Sequence, residues 1–519
     1  MIMAETRRIS WLRPKNGLHN LVTMTKEGTV GNTVALQSWL RPALTPVGAN
    51  KDYAMFRGQL EAVEVLLRDA HLESMAVDFA LKGYEEASSR QQRARVQFGL
   101  KALRVEALRM LLGNPSFREF SRTVAASDLL ADFCGVRRID GITGISKSTL
   151  ERASKFFDRE QVRWMNQVVV EMCGEADRAK ELGLAEPMQT DVCFVDTTCL
   201  EAPIHFPVDW VLLRDVALTL LKAIKLIRNS GLLHRMPEEP EAFARQMNRL
   251  CIEMTHTRRK EDATAVRKRV LRKMKPLLRT IAAHARRHRD CLAANFGQTR
   301  YSARQAQRIT DRIDGMLAQV PAVIEQAHER LIGGRQVPSE KKILSVYERE
   351  VQVIVRGKAG REVEFGNTLY LAESPQGLIL DFEFYPDRAP AEWRQMEASL
   401  GRQNRFDLEA PLEAVCADRG FSAREGSKIL RSQDIYDATC PRDPSQLQLR
   451  MKEPRFAALQ RRRASTEARI ATLKHKHGRR LRAKGYGHRY VAVAWSVLGH
   501  NLWIVARRLI DEKAEPRAA

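Results

Sequence analysis

The sequence predicts an α/β protein in which helices flank a mixed β-sheet, a large helical insertion follows the first strand, and a helical region precedes it. Short runs rich in β-branched and aromatic residues are bounded by turn residues, which predicts strands. Long segments nearly free of glycine and proline carry apolar residues at spacings of three and four, which is typical of helices. The 519 residues suffice for about three structural units at roughly 150 residues each.

The composition excludes several classes of protein. Apolar residues make up 44% and charged residues 29% of the chain, which is typical of a globular protein rather than a disordered or collagen-like one. No segment approaches about 18 consecutive apolar residues, so we expect no membrane partner. Residues 1–15 already hold Glu5, Arg7, Arg8 and Arg13 with no apolar run behind them, so we expect no secretory signal. The 8 cysteines include no CxxC pair, which predicts reduced thiols in a cytoplasmic protein rather than a disulfide framework.

Positive charge is concentrated in two basic segments. The net charge of +23 comes from residues 241–310, with 18 basic and 5 acidic residues, and from residues 451–490, with 13 basic and 2 acidic residues. The remaining 409 residues hold 55 basic and 56 acidic side chains. Two such segments indicate binding to a polyanion, because each phosphate neutralised by Lys or Arg releases condensed counterions. The alternative is a pair of solvated helix faces without a ligand.

The region before the first strand is predicted to be helical. Apolar residues at helical spacing cover residues 53–110, and two shorter helical groups follow at 117–133 and 146–157. Ser146 or Ser148 can cap the second group after a glycine-containing turn. Two short helices around a turn resemble a helix-turn-helix, although compact helical packing without DNA contact explains the pattern equally well.

The first predicted strand covers residues 191–198 and carries Asp196 near its end. The segment that follows is rich in Ala, Leu, Arg and Glu at helical spacing and holds the first basic segment, which predicts a basic helical insertion. The predicted divisions of the chain are an irregular N-terminal segment (1–50), a helical region (51–188), a sheet domain in two pieces (189–208 and 345–510), the insertion (209–344) and a C-terminal tail (511–519).

Strands resume after the insertion and then alternate with helices. We predict strands at 350–356, 364–373, 377–385, 413–418 and 435–440, and helices at 389–400, 422–432 and from 455 onward. Meandering strands followed by alternating helices and strands build one mixed sheet covered by helices, and this is the order of an RNase H-like core. In such a sheet the strand carrying Asp196 can lie beside the strand ending in Asp418, although 222 positions separate the two acids.

A third acid is predicted to approach this pair. On the helix that follows, Arg463, Glu467 and Lys474 are four and seven residues apart, so at 100° per residue they share a face within about 40°. Cleavage of a phosphodiester needs charge neutralisation and an activated water or hydroxyl, which two Mg²⁺ ions held by carboxylates supply. Asp196, Asp418 and Glu467 could provide the oxygen ligands, while Arg463 and Lys474 contact neighbouring phosphates.

Five motifs in their joint order and spacing resemble the DDE transposases of bacterial insertion sequences, of the ISNCY type. They are FVDTT, EAPIHFPVD, VRGKAGREVEFG, ADRGF and the R-x3-E-x6-K spacing that begins at Arg463. The resemblance extends from about residue 117 to the C-terminal helix, and no single motif is specific. By position it implies that Asp196, Asp418 and Glu467 bind the metal ions.

The resemblance implies a function, a cofactor and partners. It implies Mg²⁺-dependent cleavage of DNA at the ends of an insertion sequence and strand transfer into target DNA, with Mn²⁺ as a substitute cation. It also implies that terminal inverted repeats and target DNA are bound by at least a homodimer near the bacterial nucleoid. Gln460 stands where the family has a tyrosine, which puts one expected contact with the DNA end in doubt. Two alternatives are a transposase-derived protein that binds DNA without cleavage and a nuclease without strand transfer.

Other polar residues have ordinary structural explanations. Taken alone, an Asp at a strand end usually forms a turn, and a Glu among arginines usually makes a surface salt bridge. His284 and His288 lack the following Glu of a zinc protease, so we expect them to decorate a basic helix face. Cys193, Cys199 and His205 have a loose metal-like spacing, but we expect structural thiols, with Cys193 in the sheet core.

Overall fold

The computed structural model describes residues 50–138, 141–257, 262–358, 361–408, 410–477 and 481–514. Apart from Asn50, the predicted irregular segment lies outside the described residues, as do residues 515–519 of the predicted tail. The chain divides into two compact units. The first unit is Met1–Leu108 with Ser116–Phe156, and the second is Arg109–Pro115 with Phe157–Ala519.

The first unit is built mainly of helices. Its elements are α1 (Lys51–Asp69), α2 (Leu72–Leu81), α3 (Ser89–Leu111, which runs into the second unit), α4 (Phe117–Ala125), α5 (Asp128–Phe133), β1 (Arg137–Arg138), β2 (Gly141–Ile142) and α6 (Lys147–Ala153). Ser146 caps α6, because its hydroxyl accepts a hydrogen bond from the backbone N–H of Thr149 at 3.1 Å. The hairpin of β1 and β2 is not predicted by the sequence, since two-residue strands are too short to show an alternating pattern.

The second unit starts with two helices and the first strand of the main sheet, and then contains the insertion. Its first elements are α7 (Arg159–Gly174), α8 (Ala176–Glu181), β3 (Val192–Glu201), α9 (Asp209–Asn229), α10 (Pro240–His256), α11 (Ala263–Asn295), α12 (Ala303–Leu317) and α13 (Val320–Leu331). Helices α9 to α13 share a hydrophobic core of their own, which runs from Leu212 to Val346. A separate core allows so large an insertion to interrupt the sheet without disturbing it.

The main sheet has six strands within the described residues. After α13 the elements are β4 (Gln352–Lys358), β5 (Arg361–Glu373), β6 (Ile379–Phe384), α14 (Glu392–Gln403), β7 (Ala414–Ala417), α15 (Arg424–Ser432), β8 (Tyr436–Asp437), α16 (Pro444–Arg450), α17 (Pro454–His477) and α18 (Tyr486–Ala514). The strand order is β4-β5-β3-β7-β8, with β6 also paired to β5. Strand β5 is antiparallel to β3, β4 and β6, whereas β3, β7 and β8 are parallel. The predicted mixed sheet flanked by helices is therefore confirmed.

Helices pack on the sheet through specific polar contacts as well as apolar ones. Helix α17 contacts β3 and β7, and α7, α14 and α18 contact β6. Asn501 on α18 is fully buried; its amide oxygen accepts a hydrogen bond from the Ile379 N–H at 2.7 Å and its amide nitrogen donates to the Ile379 carbonyl at 2.8 Å. These bonds satisfy the backbone N–H and carbonyl of Ile379 at the start of β6.

Several predicted boundaries differ from the observed ones. The strand predicted at 435–440 contains only Tyr436–Asp437, and the helix predicted from 389 begins at Glu392. Pro390 explains the late start, because the residue before a proline is disfavoured in the α conformation. In the part of the chain that is described, no helix is both long and apolar enough to cross a membrane.

Candidate active site

Two aspartates lie side by side where β3 runs past the end of β7. The two strands are parallel, and Val195 is paired with Ala417. One residue further along come Asp196 and Asp418, which therefore occupy matching positions on chains about 4.8 Å apart. Strand β3 continues to Glu201 along β5, so Asp196 lies within its strand and not near its end. In that detail the sequence-based prediction is wrong, because pairing with β5 extends β3.

Backbone amides orient both carboxylates. Oδ1 of Asp196 accepts a hydrogen bond from the N–H of Thr197 at 2.7 Å. Oδ1 of Asp418 accepts one from the N–H of Gly420 at 2.9 Å, which caps a short 3-10 helix over Arg419–Phe421. Each of these bonds uses one carboxylate oxygen and fixes the direction of the group.

Negative charge accumulates around Asp196. Burial, as the largest cause, and the carboxylates of Asp418 and Glu467 together raise the pKa of this carboxyl to about 6. The N–H of Thr197 and the guanidinium of Arg463 act in the opposite direction without offsetting the effect. The three predicted acids and Arg463 are therefore close enough to interact electrostatically. A site that destabilises its own anions in this way favours the binding of a cation.

Helix α17 is fixed on the sheet by a buried glutamate at the end of β5. Glu373 is 4% exposed. Its Oε1 accepts hydrogen bonds from Oγ1 of Thr466 at 2.7 Å, Nη1 of Arg469 at 2.9 Å and the guanidinium of Arg462 at 3.3 Å. Because these three donors span two turns of α17, the contact sets the rotation of the helix about its axis.

The adjacent face of α17 carries the R-x3-E-x6-K residues. Nη1 of Arg463 lies 3.6 Å from Oε1 of Glu467, and the Glu467 side chain is 67% exposed. Lys474 is half-buried on the same face. The structure thus brings Asp196 and Asp418 together and turns Glu467 towards Arg463 rather than fully towards the two aspartates.

The donor set fits a hard divalent cation in its chemistry. Magnesium and manganese prefer carboxylate oxygens, and the accumulated negative charge at Asp196 is what such a cation would offset. In the described residues no three His, Cys, Asp or Glu side chains are arranged to hold a metal ion. Asp196 and Asp418 are in matching positions, whereas Glu467 would have to turn from Arg463 to join them.

A fourth carboxylate at this site is absent from the sequence-based prediction. Oε1 of Glu392, the first residue of α14, accepts a hydrogen bond from Oγ1 of Thr197 at 3.2 Å. A Cβ added to Gly420 would clash with Oε2 of Glu392 and lie 2.8 Å from its Cδ, so this carboxylate packs directly on the Asp-Arg-Gly turn. Burial and the carboxylate of Asp418 both raise the pKa of Glu392. A Glu in the first turn of a helix is common, so no local pattern marks it.

Gln460 links α17 to the strand that ends beside Asp418. Its amide nitrogen donates to the carbonyl of Ala417 at 3.3 Å and to that of Ala438 at 2.6 Å, and its amide oxygen accepts from Nε of Arg463 at 3.3 Å. The residue that departs from the resembled family thus orients Arg463 and satisfies the ends of β7 and β8. This role depends on how the strands of the sheet are arranged, so the sequence alone does not reveal it.

The remaining candidates do not join the site. His284 and His288 are 7% and 0% exposed, inside the core of the insertion, so the prediction that they decorate a basic face is wrong. Their helical phase matches that of the buried apolar residues of α11, which explains the error. Cys193 and Cys199 are buried free thiols, as expected, and Nε2 of His205 contacts Oδ2 of Asp215 at 2.9 Å.

The residue types at the site favour binding of a divalent cation over nucleophilic catalysis by a side chain. Clustered carboxylates can bind a divalent cation, and arginines next to them can bind a phosphate. In the pairing of β3 with β7, no cysteine or serine that could act as a nucleophile lies next to Asp196 or Asp418. Comparisons with protein-family models, curated proteins and solved structures find no match to this chain. Its function has to be inferred from its own residues and their geometry.

Proposed function

We propose that this protein is a DDE transposase that cleaves DNA at the ends of an insertion sequence and joins the exposed 3′-hydroxyl to target DNA. The observation that carries this proposal is the register of β3 and β7, which brings Asp196 and Asp418 to matching positions. Helix α17 adds Glu467 within electrostatic range of Asp196. The other two acids disfavour the ionised form of Asp196, and a bound cation would offset that effect.

The topology of the sheet supports an RNase H-like core. Strands β3, β5 and β6 form an antiparallel meander, and β7 and β8 continue the sheet in parallel on the other side of β3. Strand β4 adds to the outer edge of β5, and the insertion separates β3 from β4. This is the order that the sequence predicts for such a core, with the large helical insertion after its first strand.

The site residues take distinct roles in the proposed reaction. Asp196, Asp418 and Glu467 would hold two Mg²⁺ ions, for which Mn²⁺ could substitute. When bound, the ions would supply charge neutralisation at the phosphate and favour ionisation of the attacking water or hydroxyl. Arg463 contributes a planar fork for a phosphate oxygen pair, and Lys474 contributes a point charge for a neighbouring phosphate.

The proposed partners follow from the reaction. Both ends of an element have to be cut in one complex, so we expect a homodimer or a larger assembly on DNA, with terminal inverted repeats and target DNA as its ligands. The two basic segments would neutralise phosphates. The helical region over 51–188 would recognise the element ends, and the protein would act in the cytoplasm at the nucleoid.

The decisive experiment uses the purified full-length protein with Mg²⁺ and duplex DNA that carries the inverted repeats flanking its own coding sequence. The proposal predicts nicks at the repeat ends followed by joined products. Binding without nicking would instead support a DNA-binding protein derived from a transposase. Nicking without joined products would support a nuclease with the same core.

One substitution tests the third acid. Glu467→Ala should lower cleavage at least about 100-fold, since it removes a cation ligand, while DNA affinity and the melting temperature stay near those of the unmodified protein. The fold should tolerate it because the side chain is 67% exposed. Glu397→Ala, which removes an exposed carboxylate from α14, is the matched control and should cleave normally. Undiminished cleavage by Glu467→Ala would refute the assignment.

A further inference from the structure

Helix α11 of the insertion presents a row of cations to solvent. At 100° per residue the exposed basic side chains lie within an arc of about 140°, and at 1.5 Å per residue they extend over about 27 Å. The opposite arc holds the buried residues that pack into the core of the insertion. We call the row the α11 stripe, and its members are Arg269, Arg272, Lys273, Arg279, Arg286 and Arg287.

The charges of the α11 stripe are scarcely balanced within the protein. Helix α11 contains 10 Lys or Arg residues and one acid, Asp290. Arg269 pairs with Glu253 at 3.3 Å. For the other five members no ion pair occurs among the described residues, whereas Arg289, at the edge of the row, contacts Asp314 at 2.6 Å and also Asp290. Unbalanced like charges on one helix face repel one another, so the stripe contributes nothing to the stability of the isolated insertion.

The residues of the α11 stripe fit some polyanionic ligands better than others. A membrane surface would require exposed apolar side chains beside the cations, but the apolar face of α11 is buried in the insertion and none of the exposed large apolar residues lies on this helix. A single-stranded nucleic acid would require aromatic side chains on which bases stack, and α11 has no Phe, Tyr or Trp. The stripe is about 27 Å long, which matches the length of about eight base pairs at 3.4 Å per pair.

We infer that the α11 stripe binds the phosphate backbone of duplex DNA, through charge and without reading sequence. This inference rests on the proposed action on DNA and adds the surface that holds the duplex during the reaction. Arg and Lys make phosphate contacts that fix the position of a protein on DNA but carry no sequence information. The stripe therefore acts on every duplex alike and leaves recognition of the element ends to other parts of the chain.

The test removes three cations that lie one above another on the stripe. Arg272, Arg279 and Arg286 are seven residues apart, so they form a row with steps of about 10.5 Å. Each lost phosphate contact lowers the slope of log Kd against log salt by about 0.9, so changing all three to Gln should reduce that slope by about 3. At 0.1 M salt the same change should weaken binding to a 30-base-pair duplex of random sequence about 500-fold. Changing the same three to Lys should preserve both quantities, because charge and not fork geometry is at work.

The matched control removes the same charge from arginines that already have carboxylate partners. Arg228, Arg289 and Arg335 pair with Glu239, Asp314 and Glu329, respectively. Their combined change to Gln should leave the salt slope within about 1 of the original value. Equal losses in both triple variants, or none in either, would overturn the inference, as would tighter binding to a single strand of the same length. Circular dichroism and thermal melting verify that each variant is folded.

The outcomes separate this inference from the proposed function. If the unmodified protein binds duplex DNA with a steep salt dependence that the stripe variant loses, but never cleaves DNA, then the stripe stands and the transposase assignment falls. If the protein cleaves DNA and the stripe variant binds and cleaves as well as the original, then the assignment stands and the stripe has no role in holding DNA.

Discussion

The charge at the candidate site should make the protein less stable at neutral pH than a variant without it. Burial and neighbouring carboxylates raise the pKa of Asp196 from an ordinary 3.8 to about 6. The pKa of this carboxyl is therefore about two units higher in the folded than in the unfolded protein. At 1.36 kcal/mol per pKa unit, folding disfavours the ionised form by roughly 3 kcal/mol. Asp196→Asn keeps an oxygen that accepts the Thr197 N–H and removes the charge. It should raise the free energy of unfolding by up to about 3 kcal/mol above pH 6.

The sign of the pH dependence follows from the raised pKa. Above about pH 6 both the folded and the unfolded chain carry an ionised Asp196, and the folded state bears the full penalty. Between pH 6 and pH 4 the folded state takes up a proton first, so the original protein regains stability and its deficit relative to Asp196→Asn shrinks. Below about pH 4 the carboxyl is protonated in both states and the deficit should vanish.

Urea denaturation followed by tryptophan fluorescence, in the presence of a chelator, measures this effect. Trp495 in the second unit is 1% exposed and reports on unfolding there. Asp387→Asn, at an exposed aspartate, is the control and should change stability little at any pH. Adding Mg²⁺ should stabilise the original protein but not Asp196→Asn. A variant that is less stable than the original at pH 7.5, or a difference that does not change with pH, would refute the electrostatic reasoning.

Two further predictions concern the residues that support the site. Glu373→Ala should lower the free energy of unfolding by about 3 kcal/mol, because it leaves two half-buried arginines without their carboxylate. In the same urea experiment the control Glu397→Ala, at an exposed glutamate, should change the free energy of unfolding by no more than about 0.5 kcal/mol. Equal denaturation midpoints would mean that this carboxylate does not anchor α17. Gly420→Ala should displace Glu392 and lower the cleavage rate about tenfold. In a protein that already carries Glu392→Ala, the same change should cause no further loss of cleavage. Additive losses would show that the two residues do not interact.

The sheet and its two aspartates could be predicted because their signals are local. Each strand is an apolar run between turn residues, and the order of strands and helices limits how one sheet can be assembled. That order suffices to expect Asp196 beside Asp418, although the precise end of β3 depends on its pairing with β5. The helical insertion could be predicted for the same reason, since α9 to α13 each show apolar residues at helical spacing.

The supporting residues could not be predicted, because their roles come from contacts between distant segments. Glu373 meets α17 about 90 residues later, Glu392 meets Thr197 across 195 positions, and Gln460 reaches the carbonyl of Ala417 across 43. None of these residues belongs to a local pattern. The burial of His288 had a usable signal, since it continues the apolar row of α11 that includes Leu277 and Ile281 at helical spacing.

The exposed position of Glu467 is compatible with a role as the third acid on energetic grounds. Its contact with Arg463 spans 3.6 Å, and the glutamate is 67% exposed, so the pair is a surface salt bridge worth at most about 1 kcal/mol. Releasing the side chain from Arg463 therefore costs little, and a divalent cation bound at the aspartates would offset the repulsion between them and a third carboxylate. A DNA phosphate bound to Arg463 would compete for the guanidinium and lower that cost further. Under the proposed function, completion of the carboxylate trio would then be coupled to the arrival of DNA. Mg²⁺ should therefore stabilise the protein more strongly when duplex DNA is present than when it is absent.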